Sequence, residues 1–192
     1  MKTRRTIQRK NSNQVYLNAL QEKYSKILVI RLDLSYKKPF CNDITLEEAT
    51  IDLKKLLNNR RNNKTIFEHN IGYIVKKEFG FDLRIHFHVF FFFNGQEVQK
   101  GSFRADQIGK YWNEKITKDK GTYYNCNRNK YPEHGIGMLI HTDKQKREYL
   151  DKAISYLCKE EQHIKETRKE RLIVRSTIPR SKSKYGRSRR IN

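Results

Sequence analysis

The chain has 192 residues and contains 42 Lys and Arg against 21 Asp and Glu, which gives a formal net charge of +21 at pH 7. The length fits one domain with tails, and the excess of cations indicates a polyanionic partner, most often nucleic acid, with a membrane surface as the alternative. Because the sequence has no apolar run near the roughly 20 residues that span a bilayer, no apolar stretch after the N-terminal charges and no GxxxxGK[ST] motif, we expect no membrane span, secretory signal or ATP-driven motor.

In chain order, the sequence predicts a basic disordered arm over residues 1–13, a domain over 14–166 and a basic tail over 167–192. Apolar spacing predicts a first helix near 14–25, and "KILVIRLDLSY" is typical of a buried strand. A capping box of Thr45 and Glu48 begins a second helix. Two strand-like runs joined by "GFD" predict a hairpin, followed by a short helix, a strand and a long helix. This order predicts an α+β fold, a central antiparallel β-sheet with helices packed on it.

Three cysteines, Cys41, Cys126 and Cys158, are widely spaced and form no CxxC pair. We therefore expect reduced thiols in a cytoplasmic protein, and neither a disulfide framework nor a zinc knuckle.

Two histidines one residue apart, His86 and His88, lie in the strongly apolar stretch "RIHFHVFFFF". Residues two apart on a strand share a face, and a hairpin turn centred on Asp82 places Glu78 opposite His86 on that face. These three side chains then predict a divalent-metal site, with Mg²⁺ or Mn²⁺ as the ion if the substrate is a phosphodiester. A different turn register moves Glu78 to the far face, and structural histidines are the alternative. Phe90 and Phe92 share this face, and we expect them to be core residues rather than base-stacking residues.

Two Tyr-x-x-Lys motifs, "YLDK" and "YLCK", follow one another on the last predicted helix. Residues three apart are neighbours on a helix, so Lys159 stands beside Tyr156 and Lys152 beside Tyr149. Such a lysine can lower the pKa of a tyrosine that attacks a phosphate and offset the developing charge. A solvated helix face is the alternative interpretation. Together with a divalent ion and a basic surface, the motifs predict phosphodiester transesterification with a 5′-phosphotyrosine intermediate.

Several motifs occur in an order that resembles the HUH endonucleases, namely "VIRLDLSY", "GYIVKKEFG", "IHFHVFFFFNG", "IGKYW" and "AISYLCKEEQ". Over residues 24–165 the chain is most similar to the inovirus-type, gene II-like replication initiators of filamentous phages. The resemblance implies an HUH/RRM-like sheet and site-specific nicking and joining of single-stranded or supercoiled DNA at a replication origin to start rolling-circle replication. It also implies a bacterial host cytoplasm with the host's helicase and polymerase as partners. By matching position it assigns His86, His88 and Glu78 to the metal, Tyr156 as nucleophile and Lys159 as its helper, with Tyr149 a weaker match.

The two basic ends of the chain are expected to contact DNA phosphates without reading sequence. Two rival interpretations remain at this point: a small transposase or mobilisation relaxase with the same chemistry, and a non-catalytic nucleic-acid-binding protein with structural histidines. The candidate phosphate-binding residues are Arg4, Arg5, Arg180, Lys182, Lys184, Arg187, Arg189 and Arg190.

Overall fold

The computed structural model of the chain describes residues 4–79, 84–158 and 172–179. These residues form an α+β fold in which one six-stranded antiparallel sheet carries helices on both faces, so the predicted fold class is confirmed. The helices are α1 (Arg4–Lys23), α2 (Leu46–Asn59), α3 (Lys64–Phe67), α4 (Gly101–Tyr111) and α5 (Lys144–Leu157). The strands are β1 (Lys26–Tyr36), β2 (Asn70–Phe79), β3 (Ile85–Asn94), β4 (Gly121–Asn125), β5 (Gly137–Ile140) and β6 (Ile173–Arg175).

The sheet is built around β1, and its strand order is β4-β1-β3-β2-β6. One edge of β1 pairs with β3, whereas the other edge pairs with β5 at residues 26–29 and with β4 at residues 32–36. The side chain of Asn127 fills the gap between these two short strands. Its Oδ1 accepts the Arg31 backbone N–H at 3.2 Å, and its Nδ2 donates to the Arg31 carbonyl oxygen at 2.9 Å. The amide thus replaces a missing strand neighbour and keeps the backbone of Arg31 paired.

Strand β3 lies at the centre of the sheet and is covered on both faces, which explains its run of four phenylalanines. Because side chains alternate along a strand, Phe91 and Phe93 face the layer that contains α2, α3 and α4. Phe90 and Phe92 face the layer formed by α1 and α5. All four are fully buried, which confirms the expectation that Phe90 and Phe92 belong to the core.

Two boundaries differ from the sequence prediction. Helix α1 begins at Arg4, so residues 4–13, predicted as a disordered arm, continue the helix. The contacts that hold this half are polar and distant in sequence: Asn13 Nδ2 donates to Cys158 Sγ at 3.5 Å, and Arg175 Nη2 donates to Ser12 Oγ at 2.6 Å. Likewise β6, within the predicted tail, pairs with residues 74–76 of β2. In the described part of the chain, no helix is both long enough and apolar enough to cross a membrane.

Candidate functional site

On the α1–α5 face, each of the three central strands changes from apolar to polar side chains along its length. Strand β3 passes from Phe90 to His88, β2 passes from Ile74 to Lys76, and β1 passes from Val29 to Arg31. The pairing places Asp33 and Lys76 on either side of His88, and Glu78 beside His86. We call this region the polar half-sheet; its members are Arg31, Asp33, Lys76, Glu78, His86 and His88.

His88 is held between two carboxylates from the two neighbouring strands. Its Nδ1 lies 2.8 Å from Asp33 Oδ1, and its Nε2 lies 2.7 Å from Glu78 Oε2. Both ring nitrogens donate only when the imidazole is protonated, so the geometry suits an imidazolium between two carboxylates. Each carboxylate also has a lysine or arginine on its own strand, with Arg31 3.4 Å from Asp33 and Lys76 3.5 Å from Glu78. The result is a chain of alternating charge across β1, β3 and β2.

The pKa values of the three central groups follow from this arrangement. Burial lowers the pKa of His88, but the hydrogen bond and charge of Asp33 and the charge of Glu78 outweigh it, so the net pKa is raised. Burial raises the pKa of Asp33, but the hydrogen bond and charge of His88 and the charge of Arg31 outweigh burial, so the net pKa is lowered. For Glu78 burial is again opposed, by Lys76 and His88, and the net pKa is lowered. With His88 protonated, the alternating chain holds three cations and two anions.

The hairpin register on which the predicted metal site depended is confirmed, but the structure does not bring the three predicted ligands together as one metal-binding group. Glu78 does pair with His86, but its carboxylate binds His88, whose other nitrogen is taken by Asp33. Within residues 4–79, 84–158 and 172–179, no group of three or more His, Cys, Asp or Glu side chains has an arrangement that could hold a metal ion. Sequence reasoning missed Asp33 because it comes from β1, which is distant in sequence. The available signal was the pair Arg31 and Asp33, two polar side chains on one face of an otherwise apolar strand.

The two predicted catalytic tyrosines lie on α5, which buries Leu150, Ile154 and Leu157 against the sheet. Tyr156 is 62% exposed. The hydroxyl of Tyr149 accepts a hydrogen bond from Gln145 Nε2 at 2.8 Å, and the ammonium group of Lys152 lies 5.5 Å from the centre of the Tyr149 ring.

Lys152 therefore stands beside Tyr149 as the spacing predicts, while it also forms an ion pair with Glu133. Of the remaining predicted residues, Arg4 and Arg5 are exposed on the first turn of α1. The others lie outside the described residues: Lys159, Arg180, Lys182, Lys184, Arg187, Arg189 and Arg190.

A second group of cations lies where α1, the end of α5 and β2 meet. Cys158 is fully buried at this point. Burial raises the pKa of its thiol, while the charges of Lys10, Arg9 and Lys76 favour the thiolate and oppose that rise. The geometry agrees, because Lys10 lines the same small cavity as Cys158, and Arg9 lines a second cavity with Ile173, the strand partner of Lys76. We call Arg9, Lys10 and Lys76 the cationic junction; it adjoins the polar half-sheet, because Lys76 belongs to both. Sequence reasoning missed it, since the junction needs contacts between α1, α5 and β2.

Replacing His88 by Gln is expected to lower the free energy of unfolding by about 1–3 kcal/mol near pH 6, because two carboxylates lose their shared donor. The loss should be smaller near pH 9. The pKa of His88 is raised on folding, so its contribution is complete below the unfolded value of about 6.5 and disappears as the pH rises through the folded pKa. The pKa values of Asp33 and Glu78 are lowered on folding, so these groups act in the opposite sense. Their contributions to stability are lost as the pH falls through their folded pKa values.

Urea unfolding of the wild-type protein and His88→Gln at both pH values measures this difference. His141→Gln is the matched control, because His141 is exposed beyond the end of β5. A loss of stability in His88→Gln that is equal near pH 6 and near pH 9 contradicts the charged arrangement.

Comparison with known proteins identifies one family. A family model described as "YagK/YfjJ C-terminal domain" matches residues 4–171. This is a different family from the inovirus-type HUH initiators, so the resemblance to phage rolling-circle endonucleases is wrong. No curated protein and no solved structure matches the chain.

Proposed function

The chain belongs to the YagK/YfjJ C-terminal domain family, and we propose that it binds nucleic acid through contacts to the phosphate backbone. The observation that carries the proposal is the charge balance. Even if each of the 21 carboxylates were paired with one cation, half of the 42 Lys and Arg would have no carboxylate partner. A polyanion with closely spaced phosphates neutralises such an excess and releases its own counterions in doing so.

The charges of α1 support this proposal. Its first two turns contain four cations, namely Arg4, Arg5, Arg9 and Lys10, and its first turn contains no acidic residue. The N-terminal end of a helix carries a partial positive charge, so cations are unfavourable there and an anion is favourable. Phosphates near this end of α1 would offset both the side-chain charges and the helix dipole.

The geometry of the polar half-sheet adds a second line of support. Its alternating chain orders Arg31 and His88 through hydrogen bonds, so these cations lose little conformational entropy when they meet a phosphate. Lys76 joins this region to the cationic junction. We therefore place the path of the nucleic acid along α1, across the cationic junction and onto the polar half-sheet.

Cleavage of a DNA strand by Tyr156 stays a prediction. Tyr156 is exposed on α5 and is close in sequence to Cys158 at the cationic junction, and both observations favour this prediction. The dependence on Mg²⁺ or Mn²⁺ belongs to the same prediction, and a protein–DNA band that survives denaturation would support the chemistry. The replication origin, helicase and polymerase were implied only by the family resemblance and are not proposed.

The free, buried thiols of Cys41, Cys126 and Cys158 are in keeping with our proposal of a cytoplasmic location.

The experiment compares two double variants that remove the same charge from opposite faces of the sheet. Arg9→Gln with Lys10→Gln alters α1, whereas Lys54→Gln with Lys55→Gln alters exposed positions of α2. Fluorescence anisotropy with a labelled single-stranded oligonucleotide is expected to show about tenfold weaker binding for the α1 pair, because two phosphate contacts are lost. The α2 pair should bind within about twofold of the wild-type protein.

Equal weakening by both double variants would show that only the total charge matters, and would contradict the proposed path. The absence of oligonucleotide binding by the wild-type protein at low salt would overturn the proposed function itself. Binding to vesicles of anionic phospholipid without binding to oligonucleotide would favour the membrane-surface alternative.

A further inference from the structure

Two exposed tyrosines border the polar half-sheet. Tyr124 of β4 pairs with Asp33 and therefore shares the face of His88, and it is 54% exposed. Tyr131, in the segment that leads from β4 to β5, is 37% exposed. Large aromatic side chains at this level of exposure leave apolar surface in contact with water, and a ligand can cover that surface.

A single asparagine connects the hydroxyl groups of these tyrosines. Tyr124 donates to Asn129 Oδ1 at 2.8 Å, and Asn129 Nδ2 donates to the Tyr131 hydroxyl at 3.0 Å. The ring of Tyr131 also lies against that of His134, with 6.1 Å between centroids. These contacts hold two exposed rings in place, so a flat ligand that stacks on them costs little further conformational entropy.

Arg31 lies on the same face as these rings, and its guanidinium binds Asp33, the strand partner of Tyr124. The charge of Arg31 acts on the hydroxyl of Tyr131. Aromatic rings beside cations form the arrangement with which proteins hold unpaired bases: the rings stack on the bases, and the cations meet the phosphates.

We propose that Tyr124 and Tyr131 form a stacking platform for unpaired bases, so that the preferred ligand is a single-stranded nucleic acid. This inference rests on the proposed function, since the phosphate contacts bring the strand to the polar half-sheet. It adds a chemical distinction that charge alone does not make, because paired bases in a duplex do not offer their faces to a protein surface.

The test separates stacking from phosphate contacts with two oligonucleotides of equal length. One is an ordinary single-stranded DNA, and the other is abasic, with the same phosphates and no bases. We expect the wild-type protein to bind the ordinary strand at least about tenfold more tightly, in line with the effect of single stacked bases. The double variant Tyr124→Ala with Tyr131→Ala should bind both strands equally, at the affinity that the wild-type protein has for the abasic strand.

Two further variants keep the result interpretable. Tyr124→Phe keeps the ring and loses the hydrogen bond to Asn129, and it should retain most of the preference for the ordinary strand. Phe103→Ala removes a 61% exposed aromatic ring from α4, on the opposite side of the sheet, and should change nothing. An RNA strand of the same sequence shows whether ribose or deoxyribose is preferred. The stacking platform requires that the ordinary DNA strand or the RNA strand binds more tightly than the abasic strand.

The outcomes distinguish the two proposals. If the wild-type protein binds the ordinary DNA strand and the RNA strand no more tightly than the abasic strand, the stacking platform is overturned and phosphate binding is left intact. Failure of the wild-type protein to bind any of the strands overturns both. Since the first comparison needs no variant, it decides the matter even if the double variant does not fold.

Discussion

Raising the salt concentration from about 50 to about 200 mM is expected to weaken the binding of a single-stranded oligonucleotide by about 130-fold. The expectation follows from counterion release, in which the logarithm of the binding constant falls with the logarithm of the salt concentration by about 0.7 for each phosphate neutralised on a single strand. Five described cations with accessible side chains lie along the proposed path, and one phosphate for each gives a slope of about −3.5. They are Arg4, Arg5, Arg9, Lys10 and Arg31, whereas the side chain of Lys76 is buried and is not counted.

Anisotropy titrations at four or five salt concentrations measure the slope directly. The double variant Arg9→Gln with Lys10→Gln should reduce its magnitude by about 1.4, while the α2 pair should leave it unchanged. A slope near zero in the wild-type protein would mean that binding, if present, does not depend on phosphate contacts, and the charge argument would then fail.

Replacing Tyr16 by Ala is expected to lower the free energy of unfolding by about 3–5 kcal/mol, as for other large aromatic residues in cores. Tyr16 is fully buried at the centre of α1, and its ring lies edge-on to Phe92 with 6.0 Å between centroids. Its hydroxyl is hydrogen-bonded to Ser176 at 2.6 Å. Gly72 makes room for this hydroxyl, since a Cβ at residue 72 would lie 1.8 Å from it. Tyr16 therefore joins α1 to the sheet.

Urea unfolding followed by circular dichroism measures this loss, and two further variants define its origin. Tyr16→Phe removes only the hydrogen bond to Ser176 and should cost about 1 kcal/mol. Val15→Ala changes the neighbouring residue, which is 54% exposed, and should have an effect within about 0.5 kcal/mol. If Tyr16→Ala were as mild as Val15→Ala, α1 would not be docked on the sheet in solution, and the cationic junction would not exist as described.

The local elements of the fold could be predicted from the sequence because their signals are local. The capping box of Thr45 and Glu48 begins α2, and β2 pairs with β3 in the predicted register, which places Glu78 opposite His86. The N-terminal half of α1 was missed for the opposite reason. Its contacts use polar residues such as Asn13, which reaches Cys158 far along the chain, and no apolar periodicity marks them.

The candidate site was predicted in part. The shared face of His86 and His88 follows from strand alternation, and it was correctly predicted. Which carboxylates approach His88 depends on the pairing of β1 with β3. That pairing brings Asp33 next to His88, from which it is 55 residues away in sequence. Tyr124 and Tyr131 lie in a stretch whose sequence has no periodic pattern, so their position beside the polar half-sheet required the fold.

The attachment of β4 and β5 to a single edge of β1 has a consequence for how this surface can diversify. The segment between them leaves that edge and returns to it, with Asn127 closing the gap at Arg31. Insertions after Asn127 therefore lengthen an external loop while every strand keeps its neighbours. Evolution can therefore change the length and the side chains of this loop at little cost to the scaffold.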